Sequence, residues 1–205
     1  MFKSKSSHFN RTGKHVMNIF FLSFNVDECA QLYCDQHVNK ILLEIVQMLY
    51  TTWHKIGHEG ALNAAPRKKN STQRGYKSVS PNHPIVMWVR SHRNNYKFTA
   101  RLGMALAIEF HHRFGKVHAC TKHVMWLYNH IPTKFCEVRS EKAFYSTQEV
   151  PKYLTSIPEC MPIEYQHLNI LRANYTYYYM DKFTFARWTR DDSVPRFKER
   201  MACLP

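Results

Sequence analysis

The sequence predicts an all-α protein: a single compact domain of about four to five helices, with a long basic loop and a basic N-terminal tail. Three observations predict it. Apolar residues recur at steps of three and four through 35–56, 84–115 and 162–182, the spacing that places them on one face of a helix. Period-two alternation, the mark of a half-buried strand, is nearly absent. The chain has 205 residues, 44% of them hydrophobic, enough for one sizeable core and too apolar for a disordered chain.

Residues 1–16, "MFKSKSSHFNRTGKHV", have four basic residues and no acidic one, and read as a flexible tail. The domain proper is expected over 17–197, with 198–205 a second tail. "MNIFFLSF", from Met17, is a short apolar run expected as a buried extended segment. Asp27 is expected to cap a short helix and Asp35 the next, each accepting from open N–H groups. In the helix over 35–56, Val38, Ile41, Leu42, Ile45, Leu49, Thr52, Trp53 and Ile56 share a broad apolar face. His37, Lys40, Glu44, Gln47, Thr51 and Lys55 fall within about a third of the circumference on the other side. Gly57 ends this helix. A polar stretch of roughly 25 residues then runs to Pro81, long enough to be functional or disordered. It holds Arg67, Lys68, Lys69, Arg74 and Lys77 around Tyr76.

Pro84 suits a first helical turn, where its missing N–H costs nothing. Periodicity continues to Gly115 with a break near Ser91. Tyr96, Gly103, Leu106, Ala107, Phe110 and Phe114 form its apolar stripe, and Arg90, Arg93, Asn94, Lys97 and Arg101 a basic one. A helix over about 118–130 stops before Pro132, residues 133–160 are irregular, and a last helix is expected from Pro162 to about Lys182.

Charge narrows the function. Lys and Arg number 29 against 15 Asp and Glu, a net +14, and the pI is near 9.6. A field of that sign favours polyanions, nucleic acid before membrane. No apolar run approaches the ~18–20 residues of a membrane span. Residues 1–16 lack the apolar segment of a secretory signal. The expectation is an intracellular protein with reduced thiols, neither secreted nor membrane-bound. The 13 histidines and 6 cysteines show no zinc-module spacing, and no phosphate-loop or dinucleotide fingerprint occurs, so no metal and no cofactor are expected.

Three constellations are candidates for chemistry. Lys40 and Glu44, one helical turn apart, are either a wet surface ion pair worth a few tenths of a kcal/mol, or an amine nucleophile beside a carboxylate. The run "RANYTYYYMDKFTFARWTR" interleaves aromatic rings with Lys182, Arg187 and Arg190, and its Trp188 and tyrosines suit stacking on unpaired bases, although several of these rings must belong to the core. Asn82 and His83 precede a helix start, where an anion or a plain cap is equally served.

Asp35, Gln36 and His37, with Glu44 nine residues after the Asp, resemble the first long helix of the phage pyrimidine-dimer DNA glycosylase/AP-lyase family, the endonuclease V type. The order of parts is similar: that helix, a basic loop, Asn82-His83 before a second long helix, and a C-terminal helix with an aromatic–basic tail. "NHPIVMWVRSHRNNY" and "EFHHRFGKVH" also resemble a group of proteins from phages and large DNA viruses. The glycosylase resemblance implies that Glu44 is the catalytic carboxylate and that His37 and Gln36 line the lesion pocket. The family's nucleophile is the α-amine of a threonine exposed by methionine removal. Here Asn18 follows Met17, while Leu43 and Gln47 replace the family's arginines, so Lys40 is taken as the substitute amine.

The expected function is therefore a viral or phage DNA-binding repair enzyme acting on duplex DNA, excising a damaged base and nicking the abasic site through an imine. A non-catalytic nucleic-acid-binding or packaging protein on the same scaffold is the alternative. An enzyme of free nucleotides is a third reading.

Overall fold

The computed structural model describes residues 17–58, 60–135, 150–166 and 168–189. Among them are six α-helices and no strand, so the all-α prediction holds. The expected tails, 1–16 and 198–205, lie outside the described residues.

Helix α1, Val26–Leu32, is capped by Asn25 rather than Asp27. The Asn25 amide oxygen accepts from the N–H groups of Asp27 (3.0 Å) and Glu28 (3.2 Å), which leaves Asp27 in the first turn, where its charge suits the helix dipole. Helix α2, Asp35–Ile56, matches its predicted bounds. Asp35 is its first residue and not its cap, because another partner claims the carboxylate. That partner is Arg113, near the end of α4 (Arg93–Phe114). Its side chain is wholly buried and donates to Asp35 (2.9 Å), Glu109 (2.7 Å) and the carbonyls of Tyr33 (2.8 Å) and Gln31 (3.0 Å). Thr189 donates to the same Asp35 carboxylate through its N–H (3.0 Å) and hydroxyl (2.8 Å). One guanidinium thus joins the α1–α2 corner, α4 and the C-terminal segment.

The periodic stretch 84–115 is two helices, α3 (Pro84–Ser91) and α4. His92 breaks it with an extended backbone, φ −148° and ψ 143°, and its Nδ1 accepts from the Asn94 N–H (3.1 Å) to start α4. Helix α5 is Thr121–Asn129. The helix expected over 162–182 is shorter: a 3-10 turn, Ile163–Tyr165, precedes α6, Leu171–Met180, and a second turn, Asp181–Thr184, follows. Asn174 explains the gap. Its side chain accepts from the Leu168 N–H (3.1 Å) and donates to the Leu168 carbonyl (2.8 Å) and Glu159 (2.7 Å), folding the preceding chain back.

The core is built on α2, which is buried over most of its circumference against α3, α4, α5 and the apolar segment from Met17. At the α2–α4–α5 junction, a Cβ on Gly103 would lie 2.6 Å from Val124 Cγ2 and 2.9 Å from Ile45 Cγ2. Gly103→Ala is expected to lower stability by about 1–3 kcal/mol despite alanine's better helix propensity. Urea unfolding measures it; unchanged stability would mean the junction is not closely packed. Among the described residues no helix is long and apolar enough to cross a membrane.

Candidate functional site

The polar line on α2 is not a solvent face. His37, Glu44 and Thr51 are buried, Gln47 is half-buried, and Lys40 and Lys55 are exposed. The N-terminal segment covers one end of the line. Phe20 stacks on the His37 ring, centroids 5.0 Å apart, and the Asn18 N–H donates to Glu44 Oε2 (3.2 Å). The basic loop covers the other end, where Thr51 accepts from the Val79 N–H (3.0 Å). Glu44 is only 5% exposed, and Lys40 Nζ approaches its second oxygen at 3.5 Å from a side chain that is 51% exposed. One carboxylate oxygen therefore meets a main-chain N–H and the other an ammonium.

Helix α6 sets His37. The Tyr179 hydroxyl accepts from the Cys34 N–H (2.8 Å) and lies 2.8 Å from His37 Nδ1. The Tyr179 hydroxyl and His37 Nδ1 share one hydrogen bond, in which the hydroxyl donates when the imidazole proton is on Nε2 and accepts when it is on Nδ1. Burial first, then Lys40 and Lys182, pushes the His37 pKa down to about 4. Lys182, in the turn after α6, is half-buried, and its Nζ lies 4.3 Å from the Tyr178 ring centroid. Burial pulls its pKa below the usual lysine range, with Lys40 adding to that pull and Asp181 opposing it. Phe185, 44% exposed, stands edge-on to His37 at 6.1 Å.

His123, hydrogen-bonded to the Tyr50 hydroxyl (2.9 Å), is also pushed down to about 4, by burial and then by Lys122 and Lys68. Both histidines sit below their ordinary value of 6.5, so between 6.5 and 4 the unfolded chain binds more protons than the native one. Stability from this source is complete above pH 6.5 and is lost as pH falls toward 4. Denaturation midpoints across that range, with histidine NMR titration, check this; a His37 resonance titrating near 6.5 would contradict the burial.

The other sequence candidates are not gathered at Glu44. Gln36 is exposed on the first turn of α2. The basic loop is a formed turn: Arg67 and Arg74 pair as an isolated bridge, the Arg74 guanidinium donates to the Ala65 carbonyl (2.9 Å), and Lys68 lies 4.9 Å from the Tyr76 ring centroid. Lys69 and Lys77 are exposed. Gly75, at φ +63°, lets the loop close on Tyr50, where a Cβ would fall 2.7 Å from the ring. His83 is the residue before α3 and makes no side-chain capping bond. Arg90 donates to the Pro81 carbonyl. Arg93, Lys97 and Arg101 are exposed and Asn94 half-buried. Gly103 faces α2, and Arg101 stands about 160° around α4 from it. Arg187 is exposed, while its carbonyl accepts from the Asp35 N–H (2.8 Å). Trp188 donates to the Leu32 carbonyl (3.1 Å), and Arg190 lies outside the described residues.

Sequence reasoning missed Asn18 and Phe20 as parts of the site; Tyr178, Tyr179 and Phe185 were read in the aromatic–basic run as candidates for stacking on bases, but not as neighbours of His37. Of the two missed, only Asn18 had a signal, its place directly after Met17. Among the described residues no three histidine, cysteine or carboxylate side chains converge as metal ligands. Comparisons with protein-family models, curated proteins and solved structures find no match.

Proposed function

We propose that the chain is a DNA-binding repair enzyme that excises a damaged base and nicks the abasic strand through an imine. The observation that carries this reading is the buried Glu44 carboxylate with a nitrogen at each oxygen, Asn18 N and Lys40 Nζ. Asn18 occupies the place after Met17 at which the resembling glycosylases expose their amine. A chain processed to begin there would put an α-amine 3.2 Å from the carboxylate.

The target nucleotide is extruded from duplex DNA at a cost of a few kcal/mol, less at a damaged site. As the bond from C1′ to the base breaks, the base leaves with the electron pair and Glu44 stabilises the cationic sugar. An amine forms the new bond to C1′, the sugar ring opens by breaking C1′–O4′, and an imine results. Loss of the C2′ proton then expels the 3′ phosphate and nicks the strand. Borohydride, which reduces the imine to a stable amine, is expected to trap a covalent protein–DNA adduct with abasic or UV-irradiated DNA. No adduct with either substrate would remove the lyase step.

One observation favours the non-catalytic alternative. Lys40 is half exposed and its Nζ is paired with Glu44, 3.5 Å away, whereas an amine nucleophile needs its nitrogen free to attack. A pure binder shows affinity that falls steeply with salt and releases no base.

A further inference from the structure

We propose that the turn from Pro66 to Gly75 binds in the major groove of B-form duplex DNA, with Arg67, Lys69 and Arg74 on the phosphates that edge the groove. The proposal rests on the reading above for the partner being DNA, but requires no bond to be broken. The turn is a short two-stranded ribbon. The Lys68 N–H donates to the Gln73 carbonyl (2.9 Å) and the Gly75 N–H to the Pro66 carbonyl (2.9 Å), on either side of the Arg67–Arg74 bridge. Bonds in those places make the two arginines a non-hydrogen-bonded pair, the closer kind, with about 4.5 Å between Cα atoms. Side chains alternate along a strand, so Lys68, over the Tyr76 ring, marks the inner face and the arginines the outer one. Like charges set directly opposite each other are unfavourable. No Asp or Glu stands anywhere from 60 to 108, and among the described residues no ion pair neutralises either arginine. Arg74 spends one N–H on the Ala65 carbonyl (2.9 Å), which positions the rest of its fork. A phosphate between the two supplies the missing charge.

The ribbon is fixed at its base and open at its tip. Gly75 closes on Tyr50, the Tyr76 ring stands 5.0 Å from His123, and His54 Nε2–H donates to the Tyr76 carbonyl (2.9 Å). Lys69, Asn70, Ser71 and Thr72 are exposed. A frame set before binding keeps the ordering cost of association small. Dimensions choose the partner. A two-stranded ribbon enters the major groove of B-DNA, about 12 Å wide, and not the minor groove, about 6 Å wide. The major groove of A-form RNA is too narrow. The tip carries no large apolar side chain to enter a bilayer, so a membrane is the poorer match.

The test measures binding of the full chain to a short DNA duplex, to the RNA duplex of the same sequence and to phosphatidylserine vesicles. The DNA duplex is expected to bind about tenfold more tightly than either of the others. Arg67→Ala with Lys69→Ala should weaken the DNA complex about tenfold and lower the slope of log K against log salt by about 2, while Arg67→Lys with Lys69→Arg keeps the charge and most of the affinity. Both side chains are exposed, so a thermal melt should be unchanged. Dimethyl sulfate reads the groove, because guanine N7 lies in the major groove and adenine N3 in the minor. The unaltered chain is expected to protect guanine N7 and leave adenine N3 reactive, and the folded alanine variant at saturation to lose that protection. Protection of adenine N3 instead, equal or tighter binding of RNA or vesicles, or an unaltered affinity in the alanine variant overturns the proposal. If that variant does not fold, the footprint of the unaltered chain decides. Base release is assayed separately, so N7 protection without base release sinks the repair reading alone, and base release without N7 protection sinks only this one.

Discussion

Glu44→Gln is expected to lower base release by roughly a hundredfold to ten-thousandfold while leaving the fold intact. The side chain is 5% exposed and accepts from the Asn18 N–H, a bond that glutamine's amide oxygen can keep. Lys40 is half exposed and can turn to water once the charge is gone. Only the negative charge that the proposed mechanism sets against the sugar cation is lost, with little change of shape. Single-turnover release of the base from lesion-bearing DNA, run beside a thermal melt, separates the effects. A full rate in this variant would remove Glu44 from the chemistry and leave an affinity for polyanions. A lost rate with a collapsed melt would point instead to a structural carboxylate, and Glu44→Asp would then resolve the matter by restoring the fold without the geometry.

Arg113→Met is expected to destabilise the protein by about 3–5 kcal/mol, the cost of leaving buried carboxylates without their cation. For a chain of this size that is a fall of roughly 10 °C in melting temperature. Asp35 and Glu109 would lose their ion pairs with the guanidinium, and the Tyr33 and Gln31 carbonyls its N–H groups. Replacing the acids as well, in Arg113→Met with Asp35→Asn and Glu109→Gln, should recover much of the loss, because the uncompensated charges go too. A single variant costing under about 1 kcal/mol would mean the network is wetter than its geometry indicates. The effect should reach the site, because Asp35 anchors Thr189 and the Arg187 carbonyl bonds its N–H. That anchoring holds the segment carrying Lys182 and Phe185 against α2. Weaker nucleic-acid binding at a temperature where the variant is still folded is the corresponding readout.

Periodicity located the long helices, because a 3.6-residue repeat of apolar side chains is a local property. The bounds of α2 and the start of α3 at Pro84 were legible for that reason. The D-Q-H…E line was legible as well, since residues three and four apart share a helix face whatever surrounds them. Its surroundings were not. The burial of Glu44 depends on Asn18, 26 residues earlier, and the hydrogen bond at His37 Nδ1 on Tyr179, 142 residues later. Asp35 was misread as a cap because local capping rules do not include Arg113, 78 residues away. The last helix was drawn too long because Asn174 uses its side chain on the chain before it, a bond that leaves no trace in hydrophobic spacing. Composition established a basic protein, but only the packing of α4 on α2 through Gly103 decided that Arg101 stands on the opposite side of α4 from that contact. Short-range geometry is written in the order of residues; dielectric environment and long-range partners arise when distant segments close on one another, and these decide what a carboxylate or an amine can do.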